Sequence, residues 1–98
     1  MSYIEELERE WSNDGVLGKL RDGNWSPDSA EKLLALLKSI EISDDASVPK
    51  RAISLLWYIP SFLSWQRERV GEHGGNLRDY DMFVVGVHNV LEEALGIP

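Results

Sequence analysis

The chain has 98 residues, 43% of them hydrophobic and 28% charged, which is the usage of one ordinary globular domain and not of a disordered chain. It has no cysteine, so disulfide staples, thiolate catalysis and cysteine-based zinc sites are excluded. Seventeen acidic against ten basic side chains leave a formal net charge of −7; phosphate backbones and anionic lipid surfaces repel such a chain, and a basic macromolecule attracts it.

Helix signals dominate from the start. Ser2 with Glu5 three residues later forms a capping box, and Ile4, Leu7 and Trp11 follow at the spacing of one helical face. Asn13-Asp14-Gly15 breaks this helix. Asp14 is placed to cap a short second one carrying Val16, Leu17 and Leu20, which Arg21-Asp22-Gly23-Asn24 ends. Ser26-Pro27 is the clearest start in the chain: serine caps, and proline lacks an N–H where a helix leaves one unpaired anyway. Ala30, Leu33, Leu34, Leu37 and Ile40 then form a continuous stripe. Ser43 to Ser47 reads as a polar loop, and Pro49 opens the third long helix.

From Ala52 to Trp65 that helix is apolar almost all round. A membrane span needs about 20 such residues; this run is shorter and has charges at both ends. The expectation is therefore a central core helix, surrounded by the others. Pro60 falls inside it and restricts Ile59, which predicts a kink, or two helices over roughly 50–58 and 61–71. Gly71 to Asn76 reads as a loop. The last helix should run from about Arg78 to Leu95, with Tyr80, Phe83, Val84, Val87, Leu91, Ala94 and Leu95 on one face. Gly86 within it is expected to serve close helix packing, and Gly96 with Ile97 to form a Schellman-type stop. No segment sustains a period of two. The expected fold is a single all-α domain, a compact bundle of four to five helices around a central apolar, Pro-kinked helix.

Chemistry-bearing patterns are sparse. His73 and His88 are fifteen residues apart with no ligand-spaced carboxylate, so no metal site is expected. His73 reads as solvent-exposed, and His88 as a core-edge histidine bonded to a backbone carbonyl. No serine lies in a GxSxG or SxxK setting. The acidic pairs Asp44-Asp45, Asp79 with Asp81, and Glu92-Glu93 lie in polar stretches that would not raise a pKa for acid catalysis. Neither an enzyme nor a cofactor is expected. Nor is a nucleic-acid reader, since the basic cluster Lys50-Arg51 and Arg67 to Arg69 brackets the most apolar helix instead of forming a recognition helix. The acidic N-terminal residues do not read as a signal peptide.

Charge is unevenly placed. Residues 1–14 carry −4, residues 79–98 carry −4, and residues 50–70 carry +3. The ends can lock onto the middle of the same chain, or steer a partner. Trp57, Tyr58, Phe62 and Trp65 cannot all point inward from one helix, since adjacent residues differ by about 100°; at least one aromatic should lie near the surface, where it would anchor an interface. The candidate partner-binding residues are thus Asp44, Asp45, Glu72, Asp79 and Asp81, reachable and not tied up along their own helices, with Trp57, Tyr58 and Trp65.

Small size, strong acidity, no cysteine, helical pattern and no catalytic motif together make a profile, covering the whole chain, that resembles the immunity proteins of bacterial toxin systems, including contact-dependent growth inhibition and related polymorphic toxins. The resemblance implies a cytoplasmic protein that binds and neutralises a cognate toxin domain. Toxin nucleases carry basic surfaces because their substrates are polyanions, and an acidic inhibitor would be steered to them. A helical adaptor or a self-associating module is the other reading of the same residues.

Overall fold

The computed structural model describes residues 3–42 and 47–96. The Ser2 capping box, the Ser43–Ala46 part of the polar loop with its Asp44 and Asp45, and Ile97 lie outside the described residues. Within them the chain forms α1 (Tyr3–Trp11), α2 (Val16–Leu20), α3 (Pro27–Lys38), α4 (Lys50–Glu72) and α5 (Leu77–Leu95), with no strand among the described residues.

The local signals act where they are strongest. Ser26 Oγ accepts from the Ser29 N–H at 3.3 Å and Pro27 begins α3. Asn76 caps α5 by accepting from the Asp79 N–H at 3.1 Å, so that helix starts at Leu77, one residue before its expected start. Gly96 ends α5 with φ 87°, a backbone setting that favours glycine, and donates to the Glu92 carbonyl at 2.8 Å. Asp14 does not cap α2. Gly15 holds that position with no side-chain hydrogen bond, because the chain turns so tightly there that a Cβ on residue 15 would lie 2.3 Å from the Arg9 and Glu10 carbonyl oxygens.

α5 packs against both α3 and α4, and α1 closes the other side by touching α2, α3 and α4. The core lies between them: Leu7 from α1, Leu17 and Leu20 from α2, Leu33 and Leu37 from α3, Leu56, Ile59 and Leu63 from α4, Tyr80 and Val87 from α5. Tyr80 is fully buried, and its hydroxyl donates to the Leu63 carbonyl at 2.6 Å. Burial, with the Asp81 charge second, pushes that phenol's pKa above its ordinary value, so it stays protonated and tethers α5 to α4.

Two expectations are corrected here. α4 runs unbroken from Lys50 to Glu72 with Pro60 inside it. The two-helix alternative fails because Leu56, Ile59 and Leu63, all fully buried, hold the backbone on both sides of the proline and offset its cost of about 3 kcal/mol. Nor is α4 surrounded. Its neighbours leave one face open, with Ile53, Trp57 and Trp65 on it.

Gly86 also departs from expectation. A Cβ there would meet only Leu34 side-chain carbons of α3, at 3.5 and 3.6 Å, which is ordinary van der Waals contact and not a forced close approach. Gly86→Ala is therefore expected to raise stability by up to about 1 kcal/mol, the helix-propensity gain; a urea midpoint that falls instead would show that α3 and α5 cannot admit the methyl group.

Candidate partner-binding surface

The open face of α4 carries the exposed aromatics. Trp57 is 58% and Trp65 66% exposed, while Tyr58 is half-buried and Phe62 buried. Both indoles rest edge-on against Tyr58, at ring separations of 5.6 and 5.8 Å. Between Arg51 and Arg67 the helix has no charged residue, so the ridge is apolar and small-polar for four turns. Beneath it Trp11 ties α1 to α4. Its Nε1 donates to the Leu55 carbonyl at 3.1 Å, and its ring lies 4.9 Å from that of Phe62.

The arginines around this ridge are turned back onto the chain. Arg51 pairs with Glu8 of α1 at 3.6 Å. Arg67 makes a two-pronged pair with Asp81 of α5, at 2.8 and 2.9 Å. The Arg21 guanidinium lies over the Trp11 ring at 5.6 Å, and Arg69 donates to the Arg21 carbonyl. The two acidic ends of the chain are thus each pinned to the basic middle, one of the two uses expected of that charge pattern.

Asp81 is exposed but already paired within the chain. Its carboxyl is held below the usual carboxylate range by the Arg67 hydrogen bond. Weighing partners along one helix could not find this pair, which joins residues fourteen apart on two helices. Glu72 and Asp79 are exposed and neither is in an ion pair. Glu72 ends α4 about 10 Å along the axis from Trp65, and Asp79 lies in the first turn of α5. A second exposed patch, Met82 (66%) and Val85 (59%), flanks the Arg67–Asp81 pair in a shallow depression shared with Arg78. Their position opposite the buried face of α5 is the sequence signal for this patch.

His73 and His88 are both exposed. His88 makes no bond to a carbonyl, because its position on α5 turns it past the core edge. Among the described residues no group of three or more histidine, aspartate or glutamate side chains could hold a metal ion, and no helix is long and apolar enough to cross a membrane.

The chain matches no protein-family model, no curated protein and no solved structure. Its surface therefore rests on its own geometry.

Among the described residues, Glu10 is the one carboxylate with a raised pKa. Burial is the largest cause, and a hydrogen bond from the Val16 N–H and nearby Arg9, Lys32 and Lys19 pull the other way. A carboxylate whose folded pKa exceeds its unfolded one binds its proton more tightly in the fold. Its stabilising contribution is full below the unfolded value and is lost as pH rises through the folded one. Glu10→Gln should therefore increase stability near neutral pH and remove part of the change seen across the mildly acidic range. Asp81 acts with the opposite sign, its contribution being present above the ordinary carboxylate value and lost as pH falls. Urea melts of Glu10→Gln and Asp81→Asn at several pH values check both; equal slopes with pH for all three proteins would contradict them.

Proposed function

We propose that this protein is an immunity-type inhibitor that binds and neutralises a cognate, basic toxin domain. The observation that carries the reading is the disposition of charge. Arg21, Arg51, Arg67 and Arg69 are engaged with the chain's own carboxylates, carbonyls and rings. Carboxylates at the α4–α5 turn and along the outer helices stay exposed, Asp79, Glu92 and Glu93 among them. Such a surface steers a basic partner into contact and makes the association rate fall with salt. Asp79 also stabilises the start of α5 through the helix dipole. Glu92 and Glu93 lie at the opposite end of that helix, where carboxylates are disfavoured, so a stability role does not explain them.

The test uses growth. The product of the neighbouring gene, expressed alone, should arrest cells, and co-expression of this chain should restore growth. Glu92→Gln with Glu93→Gln should weaken protection while leaving the melting temperature unchanged or higher. A harmless neighbour, or arrest that this chain does not relieve, would overturn the reading. The α4 ridge favours a second reading, a protein-binding module without a toxin: exposed tryptophans are the commonest anchors of interfaces, and this ridge lies apart from the exposed carboxylates of α5.

A further inference from the structure

The outer face of α4 places compatible residues at equal distances on either side of one centre. Ser61 is the centre. Four residues before it stands Trp57 and four after it Trp65; seven before is Ser54 and seven after Glu68; eleven before is Lys50 and eleven after Glu72. At 3.6 residues per turn all six fall within about 40° of the direction of Ser61. Ile59, on the opposite side, is fully buried, so this direction is outward. One end of the stripe is basic, the other acidic, and the two halves hold one exposed tryptophan each.

We propose that the chain forms a twofold dimer through antiparallel packing of α4 on α4 of a second copy, centred on Ser61. In that arrangement Trp57 meets Trp65 of the second copy, and Lys50 meets Glu72 of the second copy, each contact occurring twice as twofold symmetry requires. Ser61 at the crossing is small enough for the helices to approach, and Ser54 and Ser64 beside it are small as well. The uncharged stretch from Ala52 to Gln66 supplies the depleted charge that an interface centre shows. The area is adequate. A tryptophan side chain buries up to about 250 Å², and with Trp57 58% and Trp65 66% exposed the four indoles of a dimer remove roughly 600 Å². That is more than half of the ~1,000 Å² that a specific interface should clear, before Ile53 and the helix backbone are included. The proposal rests on the ridge being a protein-binding face and is independent of the toxin. It assigns Glu72 to the second copy and leaves Asp79, Glu92 and Glu93 outward on both.

Sedimentation equilibrium of the full chain from micromolar to submillimolar concentration should give a species of twice the 11.1-kDa chain mass. Ser61→Arg and Trp65→Ala should each give a monomer with unchanged helical circular dichroism and melting that no longer depends on concentration. Charge reversal reads the register. Lys50→Glu alone and Glu72→Lys alone should each weaken the dimer roughly tenfold, since each spoils two symmetric contacts. The double variant K50E/E72K should recover most of that loss. A wild-type monomer at submillimolar concentration overturns the proposal, as does a dimer indifferent to Ser61→Arg and Trp65→Ala. A double variant no better than its parents overturns the antiparallel register. Protection from toxin by monomeric Trp65→Ala separates the two readings: its persistence leaves the inhibitor reading standing whatever the dimer result.

Discussion

Gly18→Ala is expected to cost about 3 kcal/mol or more of folding free energy, at the top of the range for forcing extra atoms into a packed site. A Cβ at residue 18 would lie 1.7 Å from the Ser12 carbonyl oxygen and 2.5 Å from its carbon. Those are backbone atoms of the α1–α2 turn, which no rotamer change can move. The same turn is pinned by the Gly15 N–H bonded to the Ser12 carbonyl at 2.9 Å and by Ser12 Oγ bonded to the Arg9 carbonyl at 2.5 Å. Relief therefore requires α1 and α2 to separate, which exposes Leu7, Leu17 and Leu20, all fully buried. For a domain of this size each kcal/mol moves the melting temperature by roughly 4–8 °C, so a fall of about 12 °C or more is expected by calorimetry. Gly86→Ala makes the same chemical change where contacts are ordinary and should move the midpoint the other way. A loss below about 1 kcal/mol for Gly18→Ala would show that the turn gives more readily than its hydrogen bonds imply.

What the sequence shows clearly is whatever is decided within one turn of helix. Ser26-Pro27 declares the start of α3, and the stripe from Ala30 to Ile40 is buried except at Leu34, which is half-buried. The all-α class follows from such local signals. Pro60 argues for a break for the complementary reason: its penalty is local, but the burial that offsets it comes from packing against α1 and α5. The Arg67–Asp81 pair was hidden because it forms only once α4 and α5 lie side by side. The aromatic ridge stood between these cases. The angle between Trp57 and Tyr58 required an exposed ring, yet it took the fold to place Phe62 inside and both Trp57 and Trp65 outside. The assumption that apolar residues belong in the core made α4 the centre of the bundle. The residues that fit that position worst, Ile53, Trp57 and Trp65, lie on its open face.

Trp11→Ala should cost about 3–5 kcal/mol, the usual range for removing a packed tryptophan, although Trp11 is only half-buried. The indole does three jobs. It donates the 3.1 Å hydrogen bond to the Leu55 carbonyl, it covers Phe62 and Tyr58 at 4.9 and 6.0 Å, and it seats the Arg21 guanidinium above its face. Its removal leaves α1 held by Leu7, by the partly buried Tyr3 and Ile4, and by the exposed Glu8–Arg51 pair, which is worth at most about 1 kcal/mol. Trp11→Phe keeps most of the ring contact and drops the donor; it should cost about 1–2 kcal/mol and so apportions packing and hydrogen bond. Trp57→Ala and Trp65→Ala remove rings that are more than half exposed, and in dilute solution they should cost less than about 1 kcal/mol each. Urea unfolding at low protein concentration checks the contrast. If all three alanine variants lose similar stability, the ridge belongs to the core and not to an interface. If Trp11→Ala alone is severe while Trp57→Ala and Trp65→Ala lose stability only at high protein concentration, the outer rings are spent on a second copy and the inner one on the fold.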